Sequence, residues 1–150
     1  MRIHLVLRAF RAICVLVFAA MPAWADSPAA GPLTADERAA LQTLVQNQLD
    51  AFQRDDGEAA FGFAGSRVHS IFSDAEDFMK TVREGYPPVY RPRSVLFGEL
   101  VETPSGPIQV VYLGGHDGHS YVALYTFERQ NDGSWLIAGC LLRKNPGTAI

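Results

Sequence analysis

Cysteine is almost absent from this chain: Cys14 and Cys140 are the only two in 150 residues. Cys14 falls inside an export-leader pattern, so after cleavage Cys140 stands alone and no intramolecular disulfide can form. Set in an apolar strand with no histidine near it in sequence, Cys140 is expected as a buried small apolar residue, not a nucleophile. Long apolar runs are also missing. Past the leader, no stretch approaches the roughly 18 apolar residues of a membrane helix, so no membrane association is expected once the leader is gone. Basic charge is scarce as well. Losing Arg2, Arg8 and Arg11 leaves 10 basic residues against 16 acidic ones, a net charge of −6 with histidines neutral. That balance excludes nucleic acid and anionic membrane faces as expected partners. The chain has no internal repeat, no glycine-rich phosphate loop and no nucleophile elbow.

What is present begins with the leader. Arg2, Arg8 and Arg11 make a positive head, and Ala12 to Met21 is an apolar stretch too short to span a bilayer. Pro22 ends it, and Ala23-Trp24-Ala25 supplies the small-x-small pattern of a cleavage site. The expectation is a signal peptide over residues 1–25 and a periplasmic or secreted protein starting at Asp26. Residues 26–32, with Ser27, Pro28, Gly31 and Pro32, read as a flexible spacer. Residues 33–145 read as one α+β domain, and residues 146–150 as a C-terminal tail.

The pattern changes once, near residue 90, from helical to extended. Thr34 with Glu37 predicts a capping box, followed by Leu41, Leu44, Val45, Leu49 and Phe52 as one apolar stripe. Gln48 falls within that stripe, either as a polar residue at its margin or as a pocket-lining amide. Arg54-Asp55-Asp56-Gly57 interrupts the helix, and Asp55 with Glu58 is expected to start a second. Val68, Ile71 and Phe72 suggest a single turn. Ser73 with Glu76 predicts a further cap, leading Phe78, Met79 and Val82 to a stop at Gly85. Pro87, Pro88 and Pro92 are expected to exclude helix from the next stretch.

Four strands are predicted beyond it: from Val95 to about Glu102, Ile108 to Leu113, Tyr121 to Glu128, and Trp135 to Leu142. Pro104-Ser105-Gly106, Asp117-Gly118 and Asn131-Asp132-Gly133 are the turns between them. Helices first and hairpin-linked strands after them make an α+β order. The expected form is a cone-shaped roll: N-terminal helices packed on a curved antiparallel sheet of about four strands, with room for a pocket between.

The broken first helix, the short helices and the closing run Asn131-Asp132-Gly133-Ser134-Trp135-Leu136-Ile137 resemble the nuclear transport factor 2-like, or SnoaL-like, superfamily. Three stretches resemble more narrowly the bacterial family called domain of unknown function 4864. They are Leu49 to Phe63, the string Gly85-Tyr86-Pro87-Pro88-Val89-Tyr90-Arg91-Pro92-Arg93-Ser94-Val95, and Ala138-Gly139-Cys140. The resemblance covers about residues 33 to 145. It implies the cone-shaped roll and no particular reaction, since the superfamily holds isomerases, dehydratases, hydrolases, transport factors and dimerisation modules. Its enzymes place an Asp–His or Asp–Tyr pair inside the cone, and no such pair maps residue by residue onto this chain.

Tyr86, Tyr90, Arg91 and Arg93 are the strongest binding candidates, with Gln48. Two phenols and two forked guanidiniums near three prolines can form a rigid anion-binding corner. They can equally stiffen the helix-to-sheet crossover, with the arginines paired to Glu99 or Glu102. Asp55 and Asp56 are adjacent and cannot face each other as a carboxylate pair. His116 and His119 flank Asp117 but bring no third or fourth ligand, so no metal is expected, and no cofactor. His69 reads as an edge histidine. The functional expectation is non-catalytic binding of a small molecule or protein partner through the cone pocket or sheet face. The alternatives are a lyase, isomerase or hydrolase using a pocket carboxylate or histidine, and a homodimeric assembly module.

Overall fold

Capping and periodicity produce the helices of this protein largely where local chemistry demands them. The computed structural model describes residues 31–149, with side chains through residue 146. The expected signal peptide lies outside the described residues. Five helices come first: α1 (Ala35–Gln53), α2 (Gly57–Gly62), α3 (Ser66–His69), α4 (Ala75–Gly85) and α5 (Pro87–Tyr90). The Thr34 side chain accepts from the Glu37 amide, and the Glu37 carboxylate accepts from the Thr34 amide at 2.9 Å, closing the capping box. Leu41, Val45, Leu49 and Phe52 are buried along one face of α1.

Three helix boundaries differ from expectation. Asp56, not Asp55, caps α2, accepting from the Ala59 amide at 3.1 Å. Asp55 instead takes a left-handed backbone (φ 56°), which a short polar side chain tolerates better than most. Asp74, not Ser73, caps α4 through the Asp77 amide at 2.9 Å. A helical turn, α5, forms where the prolines were expected to exclude one. Pro87 and Pro88 sit at its start, where a missing N–H costs nothing and the fixed φ is already helical.

Four strands follow: β1 (Ser94–Thr103), β2 (Gly106–Gly114), β3 (His119–Arg129) and β4 (Trp135–Ala149). They form one antiparallel sheet in the order β1-β2-β3-β4, a meander, curved and unclosed. Gly106, Gly118 and Gly133 have positive φ in the three turns, as the turn sequences require. β4 runs beyond the expected end at Leu142 to Ala149, through the stretch expected as a tail. It is an edge strand, and an edge accommodates Pro146, which has no N–H to donate.

Alternation sorts the sheet into two faces. Gln109, Val111, Leu113, Ala123, Tyr125, Phe127 and Ile137 are buried toward the helices. Against them pack Phe52, Phe61 and Phe78, with Phe78 ring centroids 5.9 Å from Phe52 and 5.3 Å from Phe61. The linker after α2 is tied to β4 by two backbone bonds: Gly65 N to Ile137 O at 2.8 Å, and Ile137 N to Phe63 O at 2.9 Å. The sheet bends at irregular register, between Phe97 and Leu100 of β1 and between Thr126 and Phe127 of β3. At the β1 bulge the buried Gln109 amide donates to the carbonyls of Gly98 (3.0 Å) and Glu99 (3.4 Å), groups that the shifted ladder strands. The architecture is the expected α+β roll.

Candidate functional site

A cavity of about 510 Å³ lies where the helices meet the sheet, a size that holds small organic molecules. Its wall is mostly apolar: Phe52 of α1, Phe78 and Val82 of α4 and Val89 of α5 contribute from the helices. Tyr125 of β3 and Cys140 of β4 face them from the sheet, as cross-strand register partners. Gln48, Thr81 and Tyr86 add polar groups, and Arg67 of α3 is the single charged residue in the lining.

Two groups there are poised by burial. Tyr125 is 0 % exposed. Apart from the weakly accepting Cys140 thiol beside it, its hydroxyl has no hydrogen-bond partner among the described residues. Burial holds the phenol well above its ordinary pKa, so it remains a donor across the physiological range. Cys140 is half-buried, not the fully buried residue expected, and the desolvation of its thiol pushes it up to about 12, which disfavours the thiolate a nucleophile needs. Gln48, 4 % exposed, donates its Nε2 to the Ala60 carbonyl at 3.0 Å, which ties α1 to α2.

The expected binding residues divide. Gln48 and Tyr86 line the cavity; Tyr90, Arg91 and Arg93 do not. Tyr90 and Arg91 converge instead on Asp55. The Tyr90 hydroxyl donates to Asp55 Oδ1, Arg91 Nη2 reaches Asp55 Oδ2 at 2.7 Å, and Arg83 approaches Oδ1 at 3.5 Å. Both guanidiniums also lie over the Tyr90 ring, 5.7 Å and 4.9 Å from its centroid for Arg83 and Arg91. The Tyr90 hydrogen bond, then the charges of Arg91 and Arg83, hold the Asp55 carboxyl below its usual range. This cluster clamps the α1–α2 corner onto α4 and α5. Arg91 is therefore paired with Asp55, while Glu102 pairs with Arg38. Arg93 is exposed and holds the crossover through its backbone amide, bonded to Gly114 O at 2.8 Å.

None of the described histidines lines the cavity. His69 stacks on Phe61, with centroids 3.9 Å apart. His119 Nδ1 lies 3.0 Å from the Asp117 carbonyl, inside a turn that Tyr121 closes onto Asp117 at 2.5 Å. Among the described residues no three His, Cys, Asp or Glu side chains gather as a metal site would need. Among the described residues no carboxylate or imidazole lines the cavity, and the Asp55–Tyr90 pair sits on the surface.

Tyr125 and Arg67 are the site residues that sequence reasoning passed over. The alternation of Tyr121, Ala123, Tyr125 and Phe127 marks Tyr125 as one of a facing set, yet says nothing about its hydroxyl's partners. Arg67 carried no signal, being one cation in a short polar segment.

No curated protein and no solved structure matches this chain. A family model does match, over residues 34–150, which takes in all five helices and all four strands around the cavity. The chain belongs to the family described as a domain of unknown function, DUF4864.

Proposed function

We propose that this protein binds an apolar small molecule in the cavity between its helices and its sheet, without transforming it. One observation carries the reading: an apolar-walled space of about 510 Å³ lies between the helices and the sheet, with the neutral polar side chains of Gln48, Thr81 and Tyr86 in its lining. The lining lacks the acid–base pair that turnover needs. Titration of the protein with the neutral fluorescent probe N-phenyl-naphthylamine tests this. Saturable, single-site enhancement is expected, and Thr81→Trp, which fills the cavity, should abolish it. Enhancement that never saturates, or that ignores Thr81→Trp, overturns the reading.

The order of elements and the pocket support placing the family in the nuclear transport factor 2-like superfamily. The leader pattern of residues 1–25 supports export, and amino-terminal sequencing of the mature protein should begin at Asp26.

A second reading, self-association, rests on the face of the sheet turned from the helices. Leu96 and its register partner Tyr112 are 67 % and 43 % exposed there, beside Val101. Light scattering after size exclusion should give twice the monomer mass; a monomer at high concentration removes this reading.

A further inference from the structure

We infer that the cavity's ligand is an anionic amphiphile, whose forked oxyanion head pairs with Arg67 at the rim while its apolar body fills the interior. The inference rests on the ligand-binding reading above and specifies its chemistry.

Arg67 is the one charged side chain in a wall otherwise apolar or neutral. It is exposed, and its guanidinium makes no hydrogen bond or ion pair with any described residue. Three arginines of the helical half have found an acid, Arg38 with Glu102 and Arg83 and Arg91 with Asp55, whereas Arg67 alone among the arginines lines the cavity. In a chain with more acids than bases, an arginine left free at a cavity mouth is an available anion partner. The α3 helix itself is held from elsewhere. Glu128 of β3 accepts from the Ser66 amide at 2.6 Å, so the backbone beneath Arg67 is anchored while its head group stays uncommitted.

The residues beside Arg67 complete the amphiphilic pattern. Ile71, one helical turn further on, is 67 % exposed yet lines the same cavity, and half-buried Phe72 follows it. An apolar side chain exposed at a pocket mouth gains by being covered, and a hydrocarbon body passing it into the cavity would cover it. Behind it the wall is Phe52, Phe78 and Val82. A charged fork outside, an apolar lip and an apolar chamber match a molecule with one oxyanion end and a hydrocarbon remainder. A guanidinium fits carboxylate and phosphate alike, so both heads share this chemistry.

Calorimetric titration of the full chain with dodecanoate, monododecyl phosphate and dodecanol provides the test. At least one anion should bind about tenfold more tightly than dodecanol, the scale of one charge-assisted pair at a solvated rim. Arg67→Gln should erase that preference and leave dodecanol affinity unchanged, while Arg67→Lys should retain part of it. Because Arg67 is exposed, neither variant should shift the thermal transition. Equal affinity for anion and alcohol, or a preference that survives Arg67→Gln, overturns the anionic-head inference and leaves the cavity reading standing. No binding by any of the three overturns the cavity reading and this inference with it.

Discussion

Tyr125 and Cys140 sit directly opposite each other across β3 and β4, placing a phenol and a thiol side by side in the cavity wall. Both groups are kept neutral by burial, and neither satisfies the other. The first two predictions concern this pair.

Tyr125→Phe removes a buried hydroxyl that, apart from the weakly accepting Cys140 thiol, has no partner among the described residues. Equilibrium urea unfolding should show the variant about 1 kcal/mol more stable than the parent, because an unsatisfied buried donor is lost with little change in shape. A variant less stable than the parent would mean that the hydroxyl is already satisfied in the folded chain.

Cys140 should resist alkylation. With its thiol pushed up to about 12, the thiolate fraction at pH 8 is far below that of an unfolded cysteine. Iodoacetamide should therefore react with the folded protein on the order of a thousandfold more slowly than with protein in urea. Rates within about tenfold of each other would show the thiol to be solvated.

Asp55 governs part of the acid stability. Its folded pKa is depressed, chiefly by the Tyr90 hydrogen bond and then by Arg91 and Arg83. The unfolded state thus binds its proton first as pH falls. The contribution is complete above the unfolded carboxylate value, about 4, and is lost as pH drops through the folded one. Asp55→Asn should therefore flatten the fall of the thermal midpoint between about pH 4 and pH 2. An unaltered pH slope would mean that the cluster is not formed in solution.

Gln109 serves the bulge in β1, and its amide must be a donor. Gln109→Glu sets a carboxylate against the carbonyls of Gly98, Glu99 and Val110 in a site 0 % exposed. That should cost about 3 kcal/mol or more, whereas Gln109→Leu, which removes the donor together with the buried, unpartnered Oε1, should cost no more than about 1–2 kcal/mol. Equal losses in chemical denaturation would overturn this role.

Much of the fold was legible because its signals are local. The Thr34–Glu37 box spans one helical turn, and Gly106, Gly118 and Gly133 occupy turns in which φ must be positive. The misplaced boundaries have local causes too. Asp74 lies beside Ser73 and Asp56 beside Asp55, so spacing alone could not choose between neighbouring caps. The α5 turn shows that proline excludes a helix interior but not a helix start.

The site was less legible. Gln48 was found because an amide in an apolar stripe is visible as an exception, and Tyr86 only as a member of the expected anion-binding corner, whose other residues do not line the cavity. Tyr90 and Arg91 were recognised as a cluster, but their partner, Asp55, lies 35 and 36 residues away, and Glu128 reaches Ser66 across 62. By itself the amino-acid order determined the helical half, the meander and the inward set of strand residues, because periodicity and turn chemistry act within a few residues. Only the tertiary structure decided that Asp55 would neutralise the arginine corner, that Arg67 would stay uncommitted in a cavity wall, and that the Tyr125 hydroxyl would be buried without an adequate partner. Which polar groups are satisfied depends on what packing brings beside them, and packing joins segments that are far apart in the chain.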